Sequence, residues 1–290
     1  MGVVETSGMT RRRPPSVHRR ILASEARRLR ALSEETQQEV EQACKFKANS
    51  LSRWESCDSP MKPLVVEKLF GHYGVGAEKL NDLVKIAELG DQNRGADSPG
   101  VMPEWFREFS ILERDASKIY ELALTVIPGL LQTKNYARGV LRAGRLGSDV
   151  EEHVDSRMAR KQVFEGEEPL QLWTIIHEGA LGRVVGDRGV MAEQLAFLVE
   201  MAETTPVTIQ VIPNSIGAHM VMGTSFQLLR FKIAPDFGLV YLEHHGGAFY
   251  VDATAAVDRY NDALDHLKKQ ALDEDQSVAL IKQVAKDLYS

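Results

Sequence analysis

The chain has 290 residues, 43% of them hydrophobic and 26% charged, a composition that leaves room for two globular units with cores of their own. No apolar run approaches the roughly 18 residues of a membrane span, and the leading MGVVETSGMTRRRPPS has no apolar centre of the kind a secretory signal needs, so a cytoplasmic protein is expected. The net charge of −6 divides unevenly: residues 1–90 hold 15 Lys/Arg against 12 Asp/Glu, a balance of +3, and the rest hold 20 against 29, a balance of −9. That is the asymmetry of a nucleic-acid-binding front and an acidic back, although +3 allows few phosphate contacts per protomer without a second copy or a partner.

In chain order, residues 1–16 read as a disordered basic tail around Arg11-Arg12-Arg13. An amphipathic helix is predicted from Val17 to Leu32, with Ile21, Leu22, Leu29 and Leu32 inward and Arg27, Arg28 and Arg30 on polar positions. Thr36 to Glu55, TQQEVEQACKFKANSLSRWE, reads as two short helices and a tight turn. Thr36 and Glu39 have capping-box spacing. Val40 and Ala43 give the first helix its apolar stripe, Cys44-Lys45-Phe46 form the turn, and a second helix is predicted from Lys47 with Leu51 and Trp54 inward. Lys47, Asn49, Ser50 and Arg53 then look outward, with the lengths and donors that reach phosphates and base edges. Helices at Leu64–Tyr73, ended by Gly74, and at Ala77–Leu89 complete a five-helix bundle over 17–90. The two cysteines, Cys44 and Cys57, lie inside this bundle at no metal-ligand spacing and read as packing residues of a reduced protein.

At these residues the chain resembles the helix-turn-helix of Xre-type bacterial repressors, with Thr36-Gln37 opening the first helix of the motif and Leu51-Ser52-Arg53-Trp54-Glu55 closing the second. The pattern departs from the family at Glu41 (usually small), Cys44 (leucine), Lys45 (glycine), Lys47 (a serine cap) and Cys57 (glycine). The resemblance implies that the second helix enters a DNA major groove. Gln37 and Lys45 would then hold phosphates, while Asn49, Ser50 and Arg53 read or align on bases. It also implies that an arginine of the first helix pairs with Glu55.

Asp91 to Pro103, DQNRGADSPGVMP, reads as a linker, leaving 104–290 as a second domain. A helix is predicted from Glu104 to Tyr120, with Trp105, Phe106, Phe109, Leu112, Ala116 and Ile119 on one face. Further helices are predicted near Lys134–Ala143, Val150–Phe164, Val190–Ala202, Ala253–Lys269 and Asp275–Leu288. Strands are predicted at Leu170–Ile176, Val207–Ile212, Phe226–Phe231, Leu239–Glu243 and Ala248–Val251. The expected fold class is therefore α+β, an all-α five-helix bundle followed by a mixed α/β domain.

PGLLQT with YAR, then RMARKQ, HEGALGRVVG, VTIQVIP and FQLLRF, resemble the C-terminal domain of WhiJ-like regulators of actinobacteria, which pair it with an Xre-type helix-turn-helix. This resemblance implies a cytoplasmic, antitoxin-like transcriptional regulator, often encoded beside a small acidic protein partner; it carries no biochemical activity over. Several polar residues fall where periodicity would bury them: Gln132, Tyr136, Arg138, Arg157, Glu178, Arg183 and Glu243. They could line a pocket for an anionic ligand or form internal salt bridges. His177, His219 and the run Glu243–Gly247 match no metal-ligand spacing, PNSIGAH lacks a phosphate-loop signature, and no Gly-x-Ser-x-Gly elbow occurs. The expectation is a homodimeric regulator of a double-stranded DNA operator, with no enzyme activity, no cofactor and no metal. The alternative is a protein-interaction module whose helix-turn-helix has degenerated, for which Glu41 and the modest charge speak.

Overall fold

The computed structural model describes residues 15–92, 104–144, 149–204, 206–245 and 247–289. The basic tail lies outside them up to residue 14, the linker from residue 93, and the side chain of Trp105 lies outside them as well. The fold is α+β: five helices come first, and a mixed six-stranded sheet with helices follows.

Helix α1, Val17–Ser33, starts where the Ser16 hydroxyl accepts from the Arg19 amide and stops at Glu34, which is left-handed. Ile21 and Leu22 are buried as expected, and Leu29 packs on the core. Leu32 is 70% exposed, a correction: it lies in the last turn of α1, on a stretch whose residues 31–34 are all exposed. Helix α2, Gln37–Ala43, carries the Thr36–Glu39 capping box. Helix α3 is Ser50–Glu55, three residues shorter than the spacing predicts. The chain turns through left-handed Lys45 (φ 50°) and Asn49 (φ 61°), and residues 47–49 are consumed in that turn. Helices α4, Pro63–His72, and α5, Ala77–Gln92, close the helical region, with Pro63 at the first helical position and Gly74 at φ 70° after α4.

Helix α6, Glu104–Asp115, ends five residues before its expected limit, because Lys118–Ala123 is strand β1. Ala116 and Ile119 continue the helical spacing, but the sheet captures the backbone at Ser117, whose amide donates to Arg230 and whose carbonyl accepts from Gln171. Next come α7, Lys134–Ala143, and α8, Val150–Ala159, which tightens into a 3-10 turn over Arg160–Phe164. Strand β2, Gln171–His177, and helices α9, Glu178–Gly182, and α10, Arg188–Thr204, lead to β3, Val207–Ile212. Strands β4, Phe226–Phe231, β5, Ala234–His244, and β6, Gly247–Val251, precede α11, Thr254–Gln270, and α12, Glu274–Tyr289.

The strand order is β3-β2-β1-β4-β5-β6. β1, β2 and β3 run parallel through helical crossovers, and β4, β5 and β6 join as antiparallel neighbours. Both faces are covered, so the central strands are buried on both sides. Leu122, Ile175, Leu228 and Val240 pack with Leu264 and Leu267 of α11. Ile119, Leu172, Leu229 and Leu239 pack in the larger core that contains Phe109, Leu195 and Leu198. The β3 edge is closed, since its Val211 donates to the Ser277 hydroxyl and accepts from the Leu272 amide, 2.9 Å each. At the other edge, β6 meets α1. Gly238 of β5 permits the close approach of α11, because a Cβ there would stand 2.6 Å from Val257 Cγ1.

Candidate nucleic-acid interface and a buried polar row

The surface around α3 is built from two buried carboxylates. Glu41, on α2, is 6% exposed. Its oxygens accept from the backbone amides of Asn49 (3.0 Å) and Leu51 (2.8 Å). Asn49 itself makes no side-chain cap, so Glu41 supplies from the neighbouring helix the acceptor that the first turn of α3 needs. Glu41, which stands where the resembled pattern has a small residue, thus holds the turn through these two amides. Glu55 ends α3 at 4% exposure and accepts both arms of the Arg30 guanidinium, at 2.7 and 2.9 Å. Gln37 Nε2 donates to the same carboxylate at 2.6 Å. Phe46 closes the junction edge-on to Trp54, ring centroids 4.9 Å apart.

With both acids answered internally, Lys45, Lys47, Asn49 and Arg53 are left exposed and Ser50 half-buried. Among the described residues, no ion pair takes up Lys45, Lys47 or Arg53. Gln37 differs from expectation: its amide is directed inward to Glu55, so it is not free to meet a phosphate in this arrangement.

The seven polar residues singled out in the second region do not converge. Gln132 and Arg157 do meet: Gln132 is 2% exposed, gives Nε2 to the Ile127 carbonyl (2.8 Å), and takes Arg157 Nη1 on its oxygen (2.7 Å). Tyr136 is fully buried, its hydroxyl accepting from the Ile127 amide. Arg138 pairs with Glu151 at the surface, and Glu178 accepts from the Asn214 amide at 2.6 Å. Arg183 and Glu243 are exposed, a correction to their expected burial. Arg183 follows the short α9 rather than lying within a packed element, and Glu243 is near the β5 end where the sheet runs out into solvent. Glu243 still accepts from Tyr241 Oη and lies close enough to favour the charge on Arg157.

The sequence reading missed three charged groups that organise this region: Glu113, Glu121 and Arg160. Glu113, at the end of α6, is 1% exposed and receives Arg160 through two bonds of 2.7 and 2.6 Å. Arg160 also lies over the Phe106 ring at 4.8 Å. Burial, with Arg160 adding to it, lowers the pKa of Arg157 to about 10 against the pull of Glu243 and Glu113. Glu121 is in the central strand β1 at 8% exposure. Burial pushes its carboxyl up to about 7, only partly offset by a hydrogen bond from Gln227. Its cross-strand partners are Thr174 on β2 and Gln227 on β4. Gln227 in turn is paired with Tyr241, and Tyr241 with Tyr250. Thr174, Glu121, Gln227, Tyr241 and Tyr250 therefore form one row across a single face of the sheet, from its centre to the β6 edge. Phe109 stacks on the Tyr241 ring of that row at 4.0 Å.

Two cavities lie elsewhere. One of about 290 Å³ opens between α1 and the sheet, with Ser24, Arg230, Asp236, Asp252, Asp258 and Asn261 on its wall. A more open one of about 440 Å³ lies between His219 and α11. Among the described residues, no three His, Cys, Asp or Glu side chains stand together as a metal site, and no helix is long and apolar enough to cross a membrane.

One family model matches the chain, described as a domain of unknown function, DUF5753, over residues 106–283. No curated protein and no solved structure matches.

Proposed function

The chain belongs to the DUF5753 family, and on that premise we propose that it is a cytoplasmic DNA-binding transcriptional regulator of the Xre-type, WhiJ-like kind, whose family domain takes in a signal from a small molecule or a protein partner. The observation that carries the reading is the exposed set Lys45, Lys47, Asn49 and Arg53, held around a helix whose two buried acids are fully occupied. In this mechanism the turn Lys45–Asn49 approaches the phosphate backbone, and Arg53 with Asn49 reaches the base edges of the major groove. Ser50, half-buried, serves alignment. A front with a balance of +3 makes few phosphate contacts alone, so two copies on a two-fold operator supply the rest. The signal acts by shifting the population of dimers whose two reading helices have operator spacing.

The commitment of Gln37 to Glu55, together with the six-residue length of α3, favours a second reading in which the surface has lost specific DNA and the family domain works through a protein partner. Genomic fragments retained by the purified chain at low and moderate salt, then sequenced, separate the two. The regulator reading expects a shared two-fold motif that survives moderate salt. Uniform retention that disappears with salt, or none at all, overturns it.

A further inference from the structure

One face of α1 meets the β6 edge at residues spaced i, i+4 and i+7: Arg20, Ser24 and Arg27. Two residues of the facing segment, Tyr250 and Asp252, receive them. Arg20 lies over the Tyr250 ring at 4.3 Å, and Tyr250 is the last member of the row that crosses the sheet. Ser24 Oγ donates to the Asp252 carbonyl at 2.9 Å, and Arg27 Nη2 pairs with Asp252 Oδ1 at 2.9 Å. The other arm of Arg27, Nη1, donates to the backbone carbonyl of Glu55, the last residue of α3. One guanidinium therefore touches both the end of the reading helix and the segment joining β6 to α11.

We propose that Arg27 is the positioning residue through which the sheet region sets α3. Its regulatory meaning rests on the function proposed above; the coupling itself does not. The guanidinium is planar and holds its two arms in fixed relation, so displacement at one partner is passed to the other. At the α3 end it meets a carbonyl where the helix dipole favours a cation. The helix has only six residues, with Glu41 fixing its first turn and Arg27, Arg30 and Gln37 fixing its last. Of these, Arg27 is the one whose side chain also reaches the second region. Asp252 lies on the wall of the 290 Å³ cleft, so a change in that cleft acts on the carboxylate that holds Arg27.

Amide hydrogen exchange on the full chain without DNA tests this, comparing wild type with Asp252→Asn, Arg27→Gln, both together, and Asp252→Glu. Asp252 makes no side-chain contact with α3, yet Asp252→Asn is expected to speed exchange of the amides at 53–57 by about tenfold, the cost of one weakened charge-assisted hydrogen bond. Amides of β1 and β2 should hold their wild-type rates. Arg27→Gln should do at least as much, the double variant no more than Arg27→Gln, and Asp252→Glu should restore most of the protection. An unchanged α3 in Asp252→Asn overturns the proposal, as does simple addition of the two single effects. Equal acceleration over the whole chain also overturns it, since the pair would then only support the fold. Because no DNA is present, failure of the regulator reading leaves this result untouched.

Discussion

Among the described residues the helical region buries two carboxylates, Glu41 and Glu55, and the sheet region with its helix α6 buries two, Glu113 and Glu121; three of the four meet donors matched to a charge, and Glu121 does not. In the helical region Glu41 receives two backbone amides, and Glu55 receives Arg30 and Gln37. Each acid meets donors matched to its charge, so the cations of the turn and α3 stay on the surface. In the sheet, Arg160 is engaged by Glu113 and Arg157 by Gln132, which leaves Glu121 with an amide from Gln227 in a buried strand. The same side chain, equally buried, becomes a fixed cap in one region and a group titrating near neutral pH in the other. The difference lies in the donors each meets rather than in depth alone.

Substitutions can break this contrast, beginning with the largest effect. Glu113→Ala leaves the Arg160 guanidinium buried without its carboxylate and should lower stability in urea by roughly 3–5 kcal/mol. A loss under 1 kcal/mol would show that water reaches Arg160. Glu121→Gln should have the opposite sign. A carboxyl whose folded pKa is raised to about 7 binds its proton more tightly in the folded chain, so the contribution of Glu121 to stability is fully present below the unfolded carboxyl pKa and is lost as pH rises through about 7. The variant should remove that decline and be more stable at pH 8 by about 3 kcal/mol, converting the shift at 1.36 kcal/mol per unit. Parallel stability curves for the two proteins from pH 5 to 8 would contradict the assignment. Glu41→Ala removes the borrowed cap and should cost about 2 kcal/mol in the same unfolding measurement. Lys45→Gly relieves a left-handed, exposed residue at the price of unfolded-chain entropy, so a change below about 1 kcal/mol in either direction is expected.

The sequence made the regular parts of both regions legible. Clean alternation marks Val207–Ile212 as a strand to the residue, Phe226–Phe231 is likewise bounded as predicted, and the Thr36–Glu39 spacing marks the start of α2. It hid β1, because Ala116 and Ile119 happen to extend the helical stripe of α6, and only the sheet ladder at Ser117 decides between the two periods. With the helix drawn to Tyr120, Glu121 falls just past its end and outside any predicted element. Read as a strand, it shares a face with Ile119 and Ala123, a pattern that would have exposed an acid in a buried row. The role of Glu41 was invisible for another reason: a cap donated by a different helix leaves no local spacing to detect. Lys45 and Cys57 stand where the Xre pattern has glycine, and both are left-handed (φ 50° and 60°), so those two departures mark backbone positions that the sequence alone shows only as substitutions.

The most direct test of the proposed function is a fluorescence anisotropy titration of a retained genomic fragment with wild type and with Asn49→Ala/Arg53→Ala. Both side chains are exposed, and alanine at the left-handed Asn49 position should cost about 1 kcal/mol in urea unfolding, with Arg53→Ala adding little. The account predicts that affinity for the fragment falls about a hundredfold, toward that for an unrelated duplex, as two base contacts are lost. Unchanged affinity would contradict it and place any DNA contact elsewhere on the chain.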